Sequence, residues 1–304
     1  MDSSVEHFLE YIKEKNYLQW KNVNSQIDEM SLQEISEFSE VIHYYETQGM
    51  LPEEQAEKYL SFCKITMQEQ ILFSRTHQYR YSKFKDVNEV VYNDVEFMEM
   101  YMVSLELTLY LWKNNRALFR FYKEKVANKV GKKFLEIGPG HGRFLAEAIV
   151  NASYDEYYGI DVSQTSIEIC QEHLNNMSML KDIKEKKVCL KCMDFFDYDG
   201  NEKFDGIVMG EILEHVEQPK AFLQKAYDLA EDDAFVFITV PINSPELDHI
   251  YLFRSVVEVK QLIFDSGFII CDYVTVFQKN YTLEQAEKNA IPINTAFVLK
   301  KSKV

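Results

Sequence analysis

The chain has 304 residues, 46% of them hydrophobic, with 33 Lys and Arg against 49 Asp and Glu, a formal net charge of −16. That length suits one large α/β domain with an appended element, or two modest domains, and the apolar fraction excludes wholesale disorder. So acidic a chain is repelled by phosphate backbones, which disfavours nucleic acid as a partner.

The first residues, Met1-Asp2-Ser3-Ser4-Val5, lack the basic segment and apolar run of a signal peptide, and no stretch reaches the ~18 uncharged apolar residues of a membrane span. The expectation is a cytoplasmic protein with no membrane partner. The cysteines Cys63, Cys170, Cys189, Cys192 and Cys271 are sparse and odd in number, which suggests reduced thiols.

Of ten glycines only Gly49 and Gly131 precede position 138, and Pro52 is the only proline before Pro139, so residues 1–130 are expected to be helical. Ser3 with Glu6, and Ser31 with Glu34, fit capping boxes before apolar helical faces. Gly49 suits the end of one helix and Pro52 the first turn of the next. A long aromatic-rich helical pattern covers Asp94 to Lys129, with Asn114-Asn115 as the expected break. Arg75 to Lys83 is polar, aromatic and locally basic, and reads as a loop rather than a helix interior.

After Gly131 short apolar runs alternate with amphipathic stretches. Lys133–Ile137, Tyr157–Ile160, Lys187–Cys192, Phe204–Met209, Ala234–Val240, Phe268–Phe277 and Asn294–Leu299 read as strands. Phe144–Val150, Gln164–Met177, Pro219–Ala230 and Ser255–Ser266 read as helices between them. The alternation predicts an α/β fold, a doubly wound, mostly parallel seven-stranded sheet. The last two strands have no predicted helix between them, so the last is expected to be antiparallel. Cys189-x-x-Cys192 falls on a strand, where residues three apart face opposite ways, and reads as buried reduced thiols rather than a redox or zinc motif.

The first strand runs into Glu136-Ile137-Gly138-Pro139-Gly140-His141-Gly142, with a helix behind it. Glycines there let the backbone turn sharply and approach a ligand, and the helix N-terminus offers free N–H groups. A phosphate-binding loop would end in Gly-Lys-Ser/Thr, but Gly142-Arg143-Phe144 follows; a dinucleotide fingerprint needs a third glycine where Arg143 stands.

The E-x-G-x-G-x-G string is followed in order by Tyr158-Gly159-Ile160-Asp161, by Cys192-Met193-Asp194-Phe195, by Phe204 to Val216 with Gly210-Glu211-Ile212-Leu213-Glu214-His215, and by Ser266-Gly267-Phe268. On these motifs the chain resembles the class I S-adenosylmethionine-dependent methyltransferases of the small-molecule type, over roughly residues 115–300. The resemblance implies S-adenosylmethionine as cofactor, with S-adenosylhomocysteine as product, and residues 131–304 as the binding domain. It places Glu136, Gly138, Pro139, Gly140, Gly142, Asp161, Val162, Asp194, Phe195, Gly210 and Glu211 around the cofactor. The residue types suit this: Asp161, at a strand's C-terminal end, can accept both ribose hydroxyls, and Asp194 can accept an exocyclic amine.

Methyl transfer needs a general base only when the acceptor carries a proton of high pKa. Glu214, His215 and His249 are the catalytic candidates, the first two after the fourth strand and the third after the fifth. His141, in the glycine loop, reads as a loop filler. Residues 1–130 are expected to form an all-helical lid over the acceptor, with His77, Tyr79, Tyr81 and Tyr92 as substrate contacts. Tyr101, Trp112 and Phe119 read as core, or as contacts of a homodimer formed through these helices. No carboxylate cluster of the metal-dependent catechol type is evident, so no metal is expected. The overall expectation is methyl transfer to an oxygen or nitrogen of a small molecule, such as a natural-product intermediate. Two alternatives stay open: non-methyl chemistry on the same sulfonium (cyclisation or aminocarboxypropyl transfer releasing methylthioadenosine), and a non-catalytic scaffold.

Overall fold

The computed structural model describes residues 2–177, 186–199 and 202–302. Helix α1 (Ser3–Lys15) is capped by Asp2, whose carboxylate accepts from Ser4 N at 3.1 Å, so the expected Ser3/Glu6 box is not the one used. The acid one residue upstream takes the cap because it stands in extended backbone, where an N-cap belongs. After α2 (Tyr17–Asp28), α3 (Leu32–Thr47) starts on the expected box: Glu34 N donates to Ser31 Oγ at 3.2 Å and Ser31 N donates to Glu34 Oε2 at 2.8 Å. Gly49 turns the chain at φ 92°, and Pro52 opens α4 (Pro52–Thr76). Arg75 and Thr76 still belong to that helix, and the polar loop begins at His77.

A short helix α5 (Phe84–Val87) and a π-helical turn (Asn88–Tyr92) lead into α6 (Val95–Leu111) and α7 (Lys113–Val126). The break between the last two falls at Trp112, in extended backbone, and not at Asn114-Asn115. That conformation lets the indole stack on Phe62 at 5.5 Å and donate to Tyr59 Oη at 3.2 Å, while Asn115 Nδ2 binds Thr108 Oγ1 at 2.9 Å across the corner.

The sheet comprises β1 (Val130–Ile137), β2 (Ser153–Asp161), β3 (Lys187–Cys192), β4 (Phe204–Met209), β5 (Ala230–Ile242), β6 (Phe268–Val276) and β7 (Ile293–Lys301), in the spatial order β3-β2-β1-β4-β5-β7-β6. β1 to β5 pair in parallel, and β7 is antiparallel to both neighbours, as the sequence predicts. The crossovers are α8 (Arg143–Asn151), α9 (Gln164–Asn176), α10 (Pro219–Leu229) and α11 (Val256–Asp265). A further short helix, α12 (Leu283–Lys288), lies between β6 and β7, where none was expected; Thr282 and Gln285 form its capping box. The central strands end in runs of buried, mostly apolar residues, the pattern of a sheet covered on both faces.

One face is covered by α10 and α11, whose Leu223, Val259 and Ile263 join the core there. The other is covered by α7 and α8: Tyr122 meets Phe144 at 4.6 Å and Phe237 at 5.0 Å, and the same core runs without a break into α1 and α3. α6 is wedged between α7 and α9 on one side and the outer helices α2, α3 and α4 on the other, with Met98, Tyr101–Ser104 and Glu106–Leu111 buried. The five cysteines are free; Cys170 is buried, but Cys192 is exposed, so the pair at 189 and 192 is not a buried one. β3 is an edge strand, which leaves that side chain to solvent. Among the described residues no helix is long and apolar enough to cross a membrane.

Candidate functional site

The chain order reverses between β1 and β4, and in such sheets the crevice beyond the carboxyl ends of the strands is the binding place. Here it holds a cavity of about 1060 Å³, running from the loop after β1 to the inner face of the N-terminal helices.

At the sheet end, Gly138, Gly140 and Gly142 all have positive φ (67°, 51° and 79°), which any larger residue would adopt at a cost. Gly138 N donates to Ile160 O at 2.7 Å, fastening the loop to β2, and the Ile212 side chain fills the space a Cβ on Gly138 would take. Pro139, Gly140 and His141 face the cavity, whereas Gly142 stands back against Cys170 and starts α8. His141 is buried, its Nδ1 accepting from Arg143 N at 3.2 Å, and burial drives its pKa down to about 4.

Asp161 lies at the tip of β2. Its Oδ1 accepts from Ser163 N at 2.8 Å and its Oδ2 from Gly140 N at 3.4 Å; burial, opposed by those bonds, raises its pKa to about 6. Glu136 is buried with Oε2 unpartnered, and burial, then the charge of Asp161, pushes its carboxyl well above the usual range. Asp194 is exposed at the mouth; one oxygen caps the turn Phe195–Asp197 by accepting from Phe196 N at 2.8 Å. Phe195 packs on Phe222 at 5.4 Å, and Val162 and Gly210 complete this wall. Glu211 holds left-handed backbone (φ 55°), its N–H donating to Thr239 Oγ1 at 2.8 Å and its Oε1 without a partner. A non-glycine residue kept in that conformation marks local strain.

At the far end the loops after β4 and β5 interlock. The Glu214 carbonyl accepts from Ile250 N and Tyr251 N, both at 2.9 Å. This brings the rings of His215 and His249 to 4.9 Å, nearly perpendicular. His249 Nδ1 lies 2.7 Å from Ser244 O; His215 Nδ1 lies 3.1 Å from Asp248 O and 3.3 Å from Asp248 Oδ2. His215 Nε2 lies 3.6 Å from Glu214 Oε1. Glu214 is fully buried behind the cavity wall, with neither carboxylate oxygen hydrogen-bonded. Burial, then Glu211, pushes its pKa well up; burial also lowers His249 to about 3 and raises Glu246 to about 8.

Asp248, which the sequence reading passed over, is the hub. Tyr101 Oη donates to its two oxygens at 2.9 and 2.8 Å, and Tyr92 Oη donates to Oδ2 at 3.1 Å. The available signal was an acid next to His249 in a loop after a strand end. Tyr101 and Trp112 pack on Phe62 in the core, as expected, and also line the cavity, whereas Phe119 packs on Phe144 at 5.4 Å. Helical spacing tells which face is buried, not whether atoms or a void lie against it. Of the four aromatic loop residues, only Tyr92 reaches the cavity. Tyr79 stands behind His249 at 5.7 Å, Tyr81 is half-buried beside the helical core, and His77 is exposed against Phe73. The rest of the wall is apolar, with Phe62, Leu105 and Leu109, and ends in a polar rim of Asn22, Gln26 and Asn114.

Residues 110–263 match the family model described as a methyltransferase domain. The ubiquinone biosynthesis O-methyltransferase of Neisseria meningitidis serogroup C is 29% identical over 127 residues, 41% of this chain and 50% of that one. The sphingolipid C9-methyltransferase 1 of Gibberella zeae is 29% identical over 120 residues, 38% of this chain and 22% of that one. The chain thus spans about half the length or less of these curated relatives. Among solved structures, the mycolic acid cyclopropane synthase CmaA1 superimposes with a TM-score of 0.54 at 14% identity, over 73% of this chain and 99% of that one. With the sheet order, the glycine loop and the matched stretch in agreement, the chain belongs to the methyltransferase-domain family, among the class I S-adenosylmethionine-dependent methyltransferases.

Proposed function

We propose that the chain moves a methyl group from S-adenosylmethionine to a hydroxyl oxygen of an apolar small molecule. One observation carries this reading: a single cavity joins the glycine loop and Asp161 to the His215–Asp248–His249 cluster and then to the apolar walls under the helices. Relatives named for ubiquinone biosynthesis and for sphingolipid methylation support an acceptor of that character.

The residues present fit the cofactor. Glu136 Oε2 and Glu211 Oε1 are acceptors without partners, suited to the methionine ammonium. Asp161 keeps lone pairs for the ribose, and Asp194 with the Phe195 ring suits the adenine. When bound, the cofactor supplies an electrophilic methyl group on a cationic sulfur. The apolar walls exclude water, which strengthens every electrostatic interaction inside, and they orient the acceptor, which replaces a bimolecular encounter. Glu214, His215 and His249 are the groups assigned to the acceptor hydroxyl. In this reading residues 1–130 roof the acceptor and residues 131–304 carry the cofactor.

The test is incubation with methyl-labelled S-adenosylmethionine and a set of phenolic and hydroxylated lipids. An O-methyl product formed together with S-adenosylhomocysteine is the expected result. Release of methylthioadenosine without an acceptor, or no saturable calorimetric binding of S-adenosylhomocysteine, would overturn the reading.

A further inference from the structure

Glu214, His215 and His249 come from two separate loops, yet each offers a ligand atom, and the three atoms lie within 4.8 Å of one another. From this arrangement we propose that the three side chains hold one divalent first-row transition-metal ion, which presents the acceptor hydroxyl at the methyl-transfer site. The inference rests on the functional reading above and extends it to the acceptor.

The ring nitrogens are already sorted for ligation. His249 Nδ1 is 2.7 Å from the Ser244 carbonyl, an acceptor only, so Nδ1 carries the proton and Nε2 keeps its lone pair. His215 Nδ1 faces the carbonyl and carboxylate of Asp248 at 3.1 and 3.3 Å, which fixes the same tautomer and leaves Nε2 open on the Glu214 side. A ligating histidine whose other nitrogen donates to a carboxylate or backbone carbonyl is the usual outer-shell arrangement of metal sites. Asp248 is itself held by Tyr101 and Tyr92, so its direction is set from the helical side.

Glu214 supplies the second, independent observation. Its side chain is fully buried and neither oxygen has a hydrogen-bond partner. An isolated buried carboxylate is costly, and a cation beside it removes that cost. Two imidazoles and a carboxylate form a donor set for Zn²⁺, Mn²⁺, Fe²⁺ or Co²⁺ rather than for Ca²⁺. Three protein ligands leave coordination positions unfilled, the pattern of a catalytic rather than a structural site. His215 and His249 line the cavity, so those positions open toward it. A hydroxyl bound there loses its proton to water more readily. The expectation of no metal came from seeking a carboxylate cluster; Glu214 and His215 are neighbours in the sequence, and only the fold brings His249 to them.

The test uses the full-length chain, stripped with chelator, free of any histidine tag, and titrated with Co²⁺ alone. Visible d–d absorption should saturate at one equivalent. His249→Ala and Glu214→Gln should each weaken binding at least tenfold, while S-adenosylhomocysteine affinity, measured by calorimetry on the same samples, stays within about twofold. That unchanged affinity also certifies that the variants are folded. Absence of a saturable cobalt spectrum in the unmodified chain overturns the metal site, as does undiminished binding by both variants. If cobalt fails but S-adenosylhomocysteine binds, only the metal is lost; if cobalt binds but S-adenosylhomocysteine does not, the methyl-transfer reading falls and the site stands.

Discussion

Tyr101→Phe removes one hydroxyl and no apolar surface, and so isolates the bond that joins the helical region to the loop after β5. The hydroxyl donates at 2.8–2.9 Å to Asp248, which is 2% exposed and accepts from Tyr92 as well. A hydrogen bond to a buried carboxylate contributes about 1.5–3 kcal/mol, and losing the Tyr101 donor leaves Tyr92 as the remaining tyrosine donor to Asp248. Unfolding entropy grows by ~2 cal/mol/K per residue, so in a chain of 304 residues each kcal/mol moves the melting temperature by about 1.6 °C. The expected fall is therefore about 2–5 °C. Asp248→Asn should cost at least as much, since two hydroxyls and an imidazole would then compete for a single amide oxygen. The two changes remove the same interaction, so the double variant should be less destabilised than the sum by about 1–2 kcal/mol, read from urea unfolding midpoints at a common m-value. Strict additivity would refute the bond, and a loss below about 0.5 kcal/mol for Tyr101→Phe would show that this contact does not hold the helical region in place.

Gly138→Ala puts a methyl group into the Ile212 side chain at a position with φ 67°; stability should fall by about 1–3 kcal/mol, and S-adenosylhomocysteine affinity by more than tenfold in calorimetry. A variant that binds as the parent would mean that the loop does not touch the ligand. Asp161 has a pKa raised to about 6 by burial, so its carboxylate, the form proposed above to accept the ribose hydroxyls, is lost as pH drops below that value. Binding of S-adenosylhomocysteine should be level from pH 7 to 8 and about tenfold weaker at pH 5, and Asp161→Asn should bind weakly at every pH with no such slope. A wild-type affinity that is flat down to pH 5 would exclude Asp161 from the ribose contact.

The sheet was legible because its information is local. Lys187–Cys192 and Phe204–Met209 are bounded as strands at the same residues in sequence and structure, and each ends in a motif of fixed type. Gly138, Gly140 and Asp161 could be singled out for the same reason, since a turn that needs positive φ and an acid at a strand tip are both written in adjacent residues. What escaped is made by distant parts of the chain. Asp248 becomes a hub only when α6 and the π-turn arrive from some 150 positions upstream. Tyr101 and Trp112 have the periodicity of packed residues, and that periodicity is the same beside a cavity. The corner at Trp112 was misplaced because two asparagines look like a breaker, whereas the indole's reach to Phe62 and Tyr59 decides where the helix ends.

A helix with no dry side left over cannot be given up by either neighbour. α6 meets α7 and α9 through one flank and α2, α3 and α4 through another, and its Glu106 takes the Tyr45 hydroxyl from the outer layer while standing 3.6 Å from His173 of α9. The outer helices and the sheet domain therefore share a beam. Trimming the chain back to the boundary at residue 130 would remove α6 and α7 and strip the sheet face that α7 covers, and trimming only the outer layer would bare the far flank of α6. Engineers replacing the outer helices would have to carry α6 and α7 with the sheet, cut between α4 and α6, and supply a new apolar cover for the exposed flank of α6.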